Sequence, residues 1–146
     1  MNLADARRVF GELPTVSVAS LLADGSPHLV PLWFVWLEDA VFITARERSQ
    51  VWANLVRDPR VALALDRGRG WTDLAGVMIR GWAELLPQDH PSLRRALSAW
   101  FEKYRGELSG RGFAGYTEQV HAPAVFRVRP DRIASWDHAR RSFGPP

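Results

Sequence analysis

The sequence predicts a mainly β (α+β) fold in which six antiparallel strands form a small barrel, with two to three helices inserted between them. Apolar runs of strand length are separated by turn signals such as "ADGSP" and "LEDA", a pattern typical of antiparallel meanders. Three other stretches carry apolar residues at helical spacing. Strands and helices do not alternate as in a doubly wound sheet, and no GxGxxG motif is present. The order α-β-β-β-α-β-β-α-β therefore favours a barrel.

The first part of the chain is predicted to form a helix and then three strands. Apolar residues recur at helical spacing in "NLADARRVFGEL", so a short helix is expected to end between Gly11 and Pro14. The strands correspond to "TVSVASLL", "HLVPLWFVWL" and "AVFITA". Pro27 is expected near the start of the middle strand, where a missing N–H is harmless. Because the middle strand is almost wholly apolar, both of its faces are predicted to be covered.

A second helix is predicted from about Ser49 to Val56, followed by two more strands. The residues expected to face inward are Val51, Leu55 and Val56. The fourth strand is "RVALALD", and the fifth is the long run "LAGVMIRGWAELL". Gly76 and Gly81 within the fifth strand indicate a bulge or a sharp bend.

The clearest helix covers residues 89 to 105, with Asp89 as its predicted N-cap. Its predicted buried stripe consists of Leu93, Leu97, Trp100, Phe101 and Tyr104. A Gly-rich loop with a helical turn near Tyr116 is expected next. The sixth strand is "AVFRVRPDRIASWD", interrupted at Pro130, and the tail "HARRSFGPP" is expected to be loose.

Composition indicates one globular domain, residues 1–146, and excludes several classes of site. Hydrophobic residues make up 47% of the chain, and no apolar run is long enough to span a bilayer. With no signal peptide at the N-terminus, a cytoplasmic protein without membrane contact is expected. There is no cysteine, and the four histidines lack metal-binding spacing, so no metal site is predicted. The net charge of +3 comes without a long basic run, so no nucleic-acid partner is expected.

The stretch "TARERSQVWANL" (residues 44–55) has the features of an anion-binding loop. It follows a strand that ends at Thr44 and opens the second helix. Ser49 can cap this helix, whose N–H groups and dipole favour an anion, and Arg46 and Arg48 can supply charge-assisted contacts. The alternative is an ordinary capped helix with solvated arginines.

Five motifs in one order resemble the pyridoxamine 5′-phosphate oxidase-like split-barrel proteins, also called flavin/deazaflavin oxidoreductases. They are "DGSPHLVPLWF", the strand end at Thr44, "NLVRDPRVAL", "GVMIRGWAEL" and the weaker "VRPDRIASW", and together they cover about residues 16 to 136. The resemblance implies a homodimer with FMN or the deazaflavin F420 bound at the subunit interface. It implies that Val30, Pro31, Leu32 and Trp33 lie beside the tricyclic ring. It also implies that Thr44, Arg46, Arg48, Ser49 and Gln50 lie beside the phosphate.

The chain departs from this family's pattern in three places. The family's phosphate loop ends in Ser-Arg-Lys, whereas this chain has Ser49-Gln50-Val51 and no lysine in the loop. Gly76 stands where the members that make pyridoxal phosphate carry a glutamine. Their C-terminal arginine/histidine substrate motif has no counterpart here. Two alternatives follow: Arg46 or Arg48 replaces the lysine, or phosphate binding is weak or absent. The departures also predict that the protein is not a vitamin B6 oxidase.

Several other side chains are candidates for the site. Trp33 and Trp71 are predicted to stack on a flat cofactor or substrate, and Trp52 to shield the cofactor, with core or dimer contacts as the alternative. His28 is a candidate general acid or an edge residue, and Tyr116 a proton donor or a loop anchor.

Charged residues on the last two predicted strands raise two further expectations. Arg80 and Glu84 are expected to form a surface pair. Arg127, Arg129 and Arg132 either reach the partner's cofactor phosphate or form a solvated face.

The function predicted is that of an F420- or FMN-dependent oxidoreductase. It would transfer a hydride to a small unsaturated or conjugated organic substrate, and no residue is assigned a catalytic role because the cofactor carries the chemistry. The alternatives are a non-catalytic protein that binds flavin or haem, and a dimeric split barrel without a cofactor.

Overall fold

The computed structural model describes residues 1–108 and 123–140, which form one curled antiparallel sheet of seven strands with helices at its ends and on one face. The elements are α1 (Leu3–Phe10), β1 (Val16–Leu21), β2 (Pro27–Leu32), β3 (Phe34–Leu37), β4 (Ala40–Ala45), α2 (Gln50–Arg57), β5 (Arg60–Arg67), β6 (Ala75–Leu85), α3 (Pro91–Lys103), α4 (Arg105–Leu108), β7 (Ala124–Asp137) and the 3₁₀ turn His138–Arg140. The mainly β prediction is confirmed. The predicted helical turn near Tyr116 and the end of the tail lie outside the described residues.

The prediction of six strands is wrong, because the apolar run "HLVPLWFVWL" forms two strands rather than one. β2 pairs with β1, while β3 pairs with β4, and the strand order is β2-β1-β5-β6-β7-β4-β3. Trp33 separates the two strands, and its ring stacks on Tyr104 of the helical layer at 4.3 Å between centroids. The chain thus leaves one edge of the sheet and enters the opposite edge within a single residue, which requires the sheet to curl until its edges meet.

The two halves of this run differ in burial. β3 is buried, but Leu29 on β2 is 67% exposed. The prediction that both faces of the run are covered is therefore wrong for β2 in the single chain. The physical reason is that β2 is an edge strand, with one face on the interior and no layer over the other.

Two apolar clusters hold the curled sheet. The larger one fills the interior, where Ala6 and Phe10 of α1 and Val51 and Leu55 of α2 meet the inward side chains of the strands. The smaller one lies between α3 and the outer face of β3 and β4. β4 is consequently buried on both faces.

The helix boundaries follow from capping. Ser49 caps α2 as predicted, because its Oγ accepts a hydrogen bond from Trp52 N at 3.4 Å. Asp89 does not cap α3. Pro91 occupies the first helical position, so His90 becomes the N-cap and its Nδ1 accepts from Ser92 N at 3.1 Å.

Two residues predicted to be buried are half exposed, Val56 on α2 at 51% and Phe101 on α3 at 52%. Asn54 takes the inward position that Val56 was expected to share. Phe101 lies about 80° around the helix from Leu93, at the margin of the buried stripe, since each residue advances about 100°.

The bulge predicted on the long strand lies at Gly81. The register of β6 and β7 shifts between Arg80 and Gly81. Pro130 lies opposite this shift, and β7 continues through it, so the predicted interruption of β7 at Pro130 is wrong. Gly76 forms no bulge. A Cβ there would lie 2.1 Å from the Trp136 ring, so glycine is needed to accommodate that ring.

No helix in the described part of the chain is long and apolar enough to cross a membrane.

Candidate functional site

An open cavity of about 390 Å³ lies where β2, the end of β4 and the start of α2 meet. Three segments of the chain line it: residues 28–33, residues 44–46 and residues 49–51. The residues that line it are His28, Val30, Pro31, Leu32, Trp33, Thr44, Ala45, Arg46, Ser49, Gln50 and Val51. One wall is therefore the apolar edge strand β2, and the opposite wall is the polar loop that opens α2.

The loop wall has the chemistry of an anion site. Arg46 is exposed and contributes to the lining, and Ser49 begins α2 beside it. The first backbone N–H groups of a helix have no acceptor within the helix, and the helix dipole adds positive potential there. The Arg46 carbonyl accepts a hydrogen bond from Ser49 N at 3.0 Å, which closes the loop into a tight turn. Arg46 and the N-terminus of α2 thus line the same space.

Eight of the eleven residues predicted to bind a cofactor line this cavity. They are Val30, Pro31, Leu32, Trp33, Thr44, Arg46, Ser49 and Gln50. Arg48, Trp52 and Trp71 are not among the lining residues. Arg48 lies on the tight turn with φ of 64° and is exposed. The cofactor contacts themselves remain predictions.

The two outlying tryptophans have other neighbours. Trp52 is half-buried on α2 and packs against the interior cluster. Trp71 is 64% exposed in the loop between β5 and β6, where its ring lies 4.3 Å from that of His138 and its carbonyl 2.9 Å from His138 Nδ1.

Trp33 lines the cavity and also packs against the C-terminal end of α3. Its ring is stacked on Tyr104 with an interplanar angle of 6° and lies 5.3 Å from the ring of Trp100. The Tyr104 hydroxyl accepts from Phe34 N at 2.9 Å and lies 2.9 Å from Pro14 O. Burial raises the pKa of Tyr104 to about 12, so the hydroxyl keeps its proton and can donate to a backbone carbonyl. These contacts fix Trp33 at the break between β2 and β3.

A row of polar side chains behind the cavity, with the buried Ser20 and Asn54 at its centre, was not predicted. Asn54 is fully buried, and its side-chain amide hydrogen bonds with Ser20 Oγ (3.0 Å) and with the Gln50 amide (2.8 Å). Ser20 Oγ is also 3.5 Å from His28 Nδ1. Both ends of the row, His28 and Gln50, line the cavity. The sequence carried a signal: Ser20 alternates in phase with Val16 and Val18, as a polar residue at an inward position.

The arginines of β7 have a local partner. Arg127 and Arg129 contact Glu84 at 2.7 and 3.2 Å, and the Arg127 guanidinium holds the pKa of the Glu84 carboxyl below its usual range. The predicted pairing of Glu84 with Arg80 is wrong. Residues four apart along a strand are separated by roughly 13 Å, whereas cross-strand neighbours are about 5 Å apart, and Arg127 is the cross-strand neighbour of Glu84.

Among the described residues no cluster of three or more His, Asp or Glu side chains could hold a metal ion. The cavity is instead suited to a flat, partly apolar molecule that carries an anionic group, because an apolar strand faces a cationic loop.

Solved structures with the same fold include proteins with different ligands. The conserved hypothetical protein Rv2991 from Mycobacterium tuberculosis is 28% identical, with a TM-score of 0.76 over 99% of this chain and 93% of that one. A haem-binding protein from Mycobacterium smegmatis is 20% identical, with a TM-score of 0.68, and covers 94% of this chain, which spans 59% of its length. An FAD-binding protein from Mesorhizobium loti is 17% identical, with a TM-score of 0.68 and 92% of each chain covered.

The comparison with curated proteins gave no match. The model of the pyridoxamine 5′-phosphate oxidase family, in contrast, matches residues 4–137. This match covers most of the chain and includes every residue that lines the cavity. The chain therefore belongs to the pyridoxamine 5′-phosphate oxidase family.

Proposed function

We propose that this chain is a homodimeric oxidoreductase that binds a flavin-type cofactor, FMN or F420, in the cavity between β2 and α2. It would transfer a hydride to a small unsaturated or conjugated organic substrate. The observation that carries the proposal is the pairing of an apolar strand wall with Arg46 and the N-terminus of α2 in one cavity. The family membership and the FAD-binding relative support a flavin-type ligand.

The residues present fit such a cofactor. Arg46 and the N–H groups at the start of α2 can bind a phosphate, which offsets the absence of a lysine from the loop. Val30, Pro31 and Leu32 offer an apolar edge to a ring system. The bound cofactor would supply the hydride chemistry, while the chain holds it in place and limits its contact with water. Vitamin B6 oxidation is not proposed, because Gly76 replaces the glutamine of that activity.

The homodimer is part of the proposal because the cavity is open and the strand beside it is uncovered. Leu29 on β2 is 67% exposed, and Trp82 on β6 is 53% exposed. Large exposed apolar side chains of this kind are frequent at interfaces. Light scattering is expected to give twice the mass of one chain. A monomer at micromolar concentration would contradict a cofactor site shared between two subunits.

The direct test is binding to the purified protein. FMN and F420 are titrated separately, and the change in flavin or deazaflavin fluorescence reports the affinity. The Arg46→Gln variant is expected to bind at least about tenfold more weakly, because a charge-assisted phosphate contact contributes about 1.5–3 kcal/mol. Arg48→Gln, two residues away on the same turn, is the matched control and is expected to bind nearly as well as the parent. Equal losses in both variants would contradict the assignment of Arg46.

Haem binding is the second candidate, because His28 lies in the cavity and a haem-binding protein shares the fold. Histidine is a common axial ligand of haem iron. Titration with haemin distinguishes the two proposals. A Soret band that is lost in His28→Ala, together with no binding of FMN or F420, would replace the oxidoreductase by a haem-binding protein. No binding of any of these molecules at micromolar concentration would indicate a split barrel without a cofactor.

A further inference from the structure

A second and larger groove, of about 710 Å³, lies between α1 and α3 and beside β3. It shares no lining residue with the candidate cofactor cavity. Its walls carry an unusual share of charge. Arg7 and Arg8 come from α1, Glu12 from the segment after α1, and Glu102 and Lys103 from the end of α3.

Lys103 is the sole lysine of the chain, and its side chain is held in a defined position. Its Nζ donates a hydrogen bond to Phe34 O at 3.0 Å and lies 3.6 Å from the centroid of the Phe34 ring. These two contacts orient the ammonium group at the wall of the groove. Burial lowers the pKa of Lys103 to about 8, so the cation lacks part of the hydration that an exposed lysine has.

The charges on the groove walls do not cancel. Arg8 is paired with Asp5 at 3.1 Å, and Glu102 is paired with Arg105. Among the described residues neither Arg7 nor Lys103 forms an ion pair. Two cations and the single carboxylate of Glu12 are left, which is a net charge of about +1. Glu12 acts on Lys103 electrostatically but forms no ion pair with it among the described residues, so this partly desolvated cation gains from a further anionic partner.

The floor of the groove is apolar, and one of its residues carries a buried indole N–H without a partner. Val35 and Trp36 are 4% and 7% exposed, and both contribute to the lining. Trp36 Nε1 is buried and has no hydrogen-bond partner among the described residues. Buried polar atoms without partners are uncommon in native proteins. The floor therefore suits a molecule with an apolar part as well as a charge.

We propose that the groove between α1 and α3 is a second ligand site, which binds a small organic carboxylate through Lys103 and Arg7. The carboxylate lies between the ammonium and guanidinium groups, and the apolar part of the ligand contacts Val35 and Trp36. A single negative charge matches the net charge of the groove, whereas a phosphate dianion would bring excess negative charge close to Glu12.

The test uses the intact protein and sodium benzoate, with benzamide as its neutral isostere and inorganic phosphate as the competing anion. Calorimetry is expected to show binding of benzoate and at least about fivefold weaker binding of benzamide and phosphate. Lys103→Gln and Arg7→Gln are each expected to weaken benzoate binding at least about fivefold, because each removes a charge-assisted contact. Arg94→Gln is the matched control, since Arg94 is exposed on the same helix and does not line the groove.

The sole lysine provides a second readout that does not require a variant. Protein labelled with ¹⁵N-lysine gives one side-chain signal, and saturating benzoate is expected to shift it. A signal that does not move, equal binding of benzamide, or full affinity in Lys103→Gln would overturn the site. Stronger binding of phosphate than of benzoate would overturn the assignment to a carboxylate.

Discussion

At position 48 an arginine holds a backbone conformation that glycine adopts more readily. Its φ of 64° lies in the left-handed region, where an L side chain costs roughly 1 kcal/mol. We expect Arg48→Gly to raise the free energy of unfolding by about 0.5 kcal/mol, measured by urea denaturation. Arg46→Gly, on the same turn but without a positive φ, is the control and is expected to lower it, because glycine adds freedom to the unfolded chain. A loss of stability in both variants would contradict this account.

The buried pair Ser20 and Asn54 is expected to be energetically coupled. Asn54→Ala leaves the buried Ser20 Oγ without its amide partner, which costs about 1–3 kcal/mol. In the double variant Ser20→Ala/Asn54→Ala both polar groups are gone, so the loss is expected to be smaller than the sum of the single losses by about 1 kcal/mol. Chemical denaturation of the four proteins measures this difference, and strict additivity would show that the two side chains act independently.

The structural role of a single residue could be predicted where it depends on its immediate sequence neighbours. Ser49 was identified as a cap from its position before an apolar repeat, and the structure has this cap. The burial of Asn54 was not predicted, because a polar side chain beside Leu55 gives no signal of burial in the sequence. The sequence could not decide whether Arg46 or Arg48 lines the cavity. That depends on the backbone conformation of the turn, which the spacing of the two arginines does not determine.

At the scale of elements, the long pairing of β6 with β7 depends on two glycines for different reasons. A Cβ on Gly81 would lie 2.0 Å from Arg129 O, and a Cβ on Gly76 would lie 2.1 Å from Trp136 Cζ2. Backbone cannot move without breaking the ladder, whereas a ring can turn. Gly81→Ala is therefore expected to destabilise the protein more than Gly76→Ala, whose cost should be about 1–3 kcal/mol.

Replacement of the ring separates these two effects. In the background Trp136→Leu, Gly76→Ala is expected to cost less than about 0.5 kcal/mol, while Gly81→Ala retains its full cost. Thermal unfolding of the variants measures both. If Trp136→Leu rescued Gly81→Ala as well, the overlap with the Arg129 carbonyl would not be the cause.

The boundaries of helices and strands were predicted correctly where turn or capping residues mark them. Boundaries inside a continuous apolar run were not. Turn residues and caps placed the helices and most strands to within a few residues. The run "HLVPLWFVWL" gave no such signal, because it is apolar on both sides of the break at Trp33. The strand ends where Trp33 packs on Tyr104 and Trp100, which are far away in sequence.

At the scale of the whole molecule, stability is expected to rise with pH between about 8 and 10. The pKa of Lys103 is lowered from 10.5 to about 8 in the folded protein, so in this range the unfolded chain binds more protons than the folded one. The charged residues that line the groove with Lys103 are Arg7, Arg8, Glu12 and Glu102, and Glu12 acts on the pKa of Lys103 by raising it. Because Lys103 is only half-buried, solvent reduces the effect, and its direction is the prediction. Urea denaturation in Lys103→Met is expected to lose this rise.

Above pH 10 the opposite change is expected. The pKa of Tyr104 is raised from 10.0 to about 12 by burial, so the unfolded chain loses the hydroxyl proton first and stability falls. The free energy of unfolding should therefore have a maximum near pH 10. In Tyr104→Phe the fall due to this group should be absent, although the variant is less stable overall because it loses the contacts with Phe34 and Pro14.

The position of β7 also determines when the chain can fold. β7 lies between β6 and β4 in the sheet, although it is made long after both of them. Until the ribosome has released residues 124–137, no strand lies between β6 and β4. Strands β2, β1, β5 and β6 then form one group, and strands β4 and β3 form another. Pairing of distant strands is slow, so the nascent chain carries exposed apolar strands for most of its synthesis.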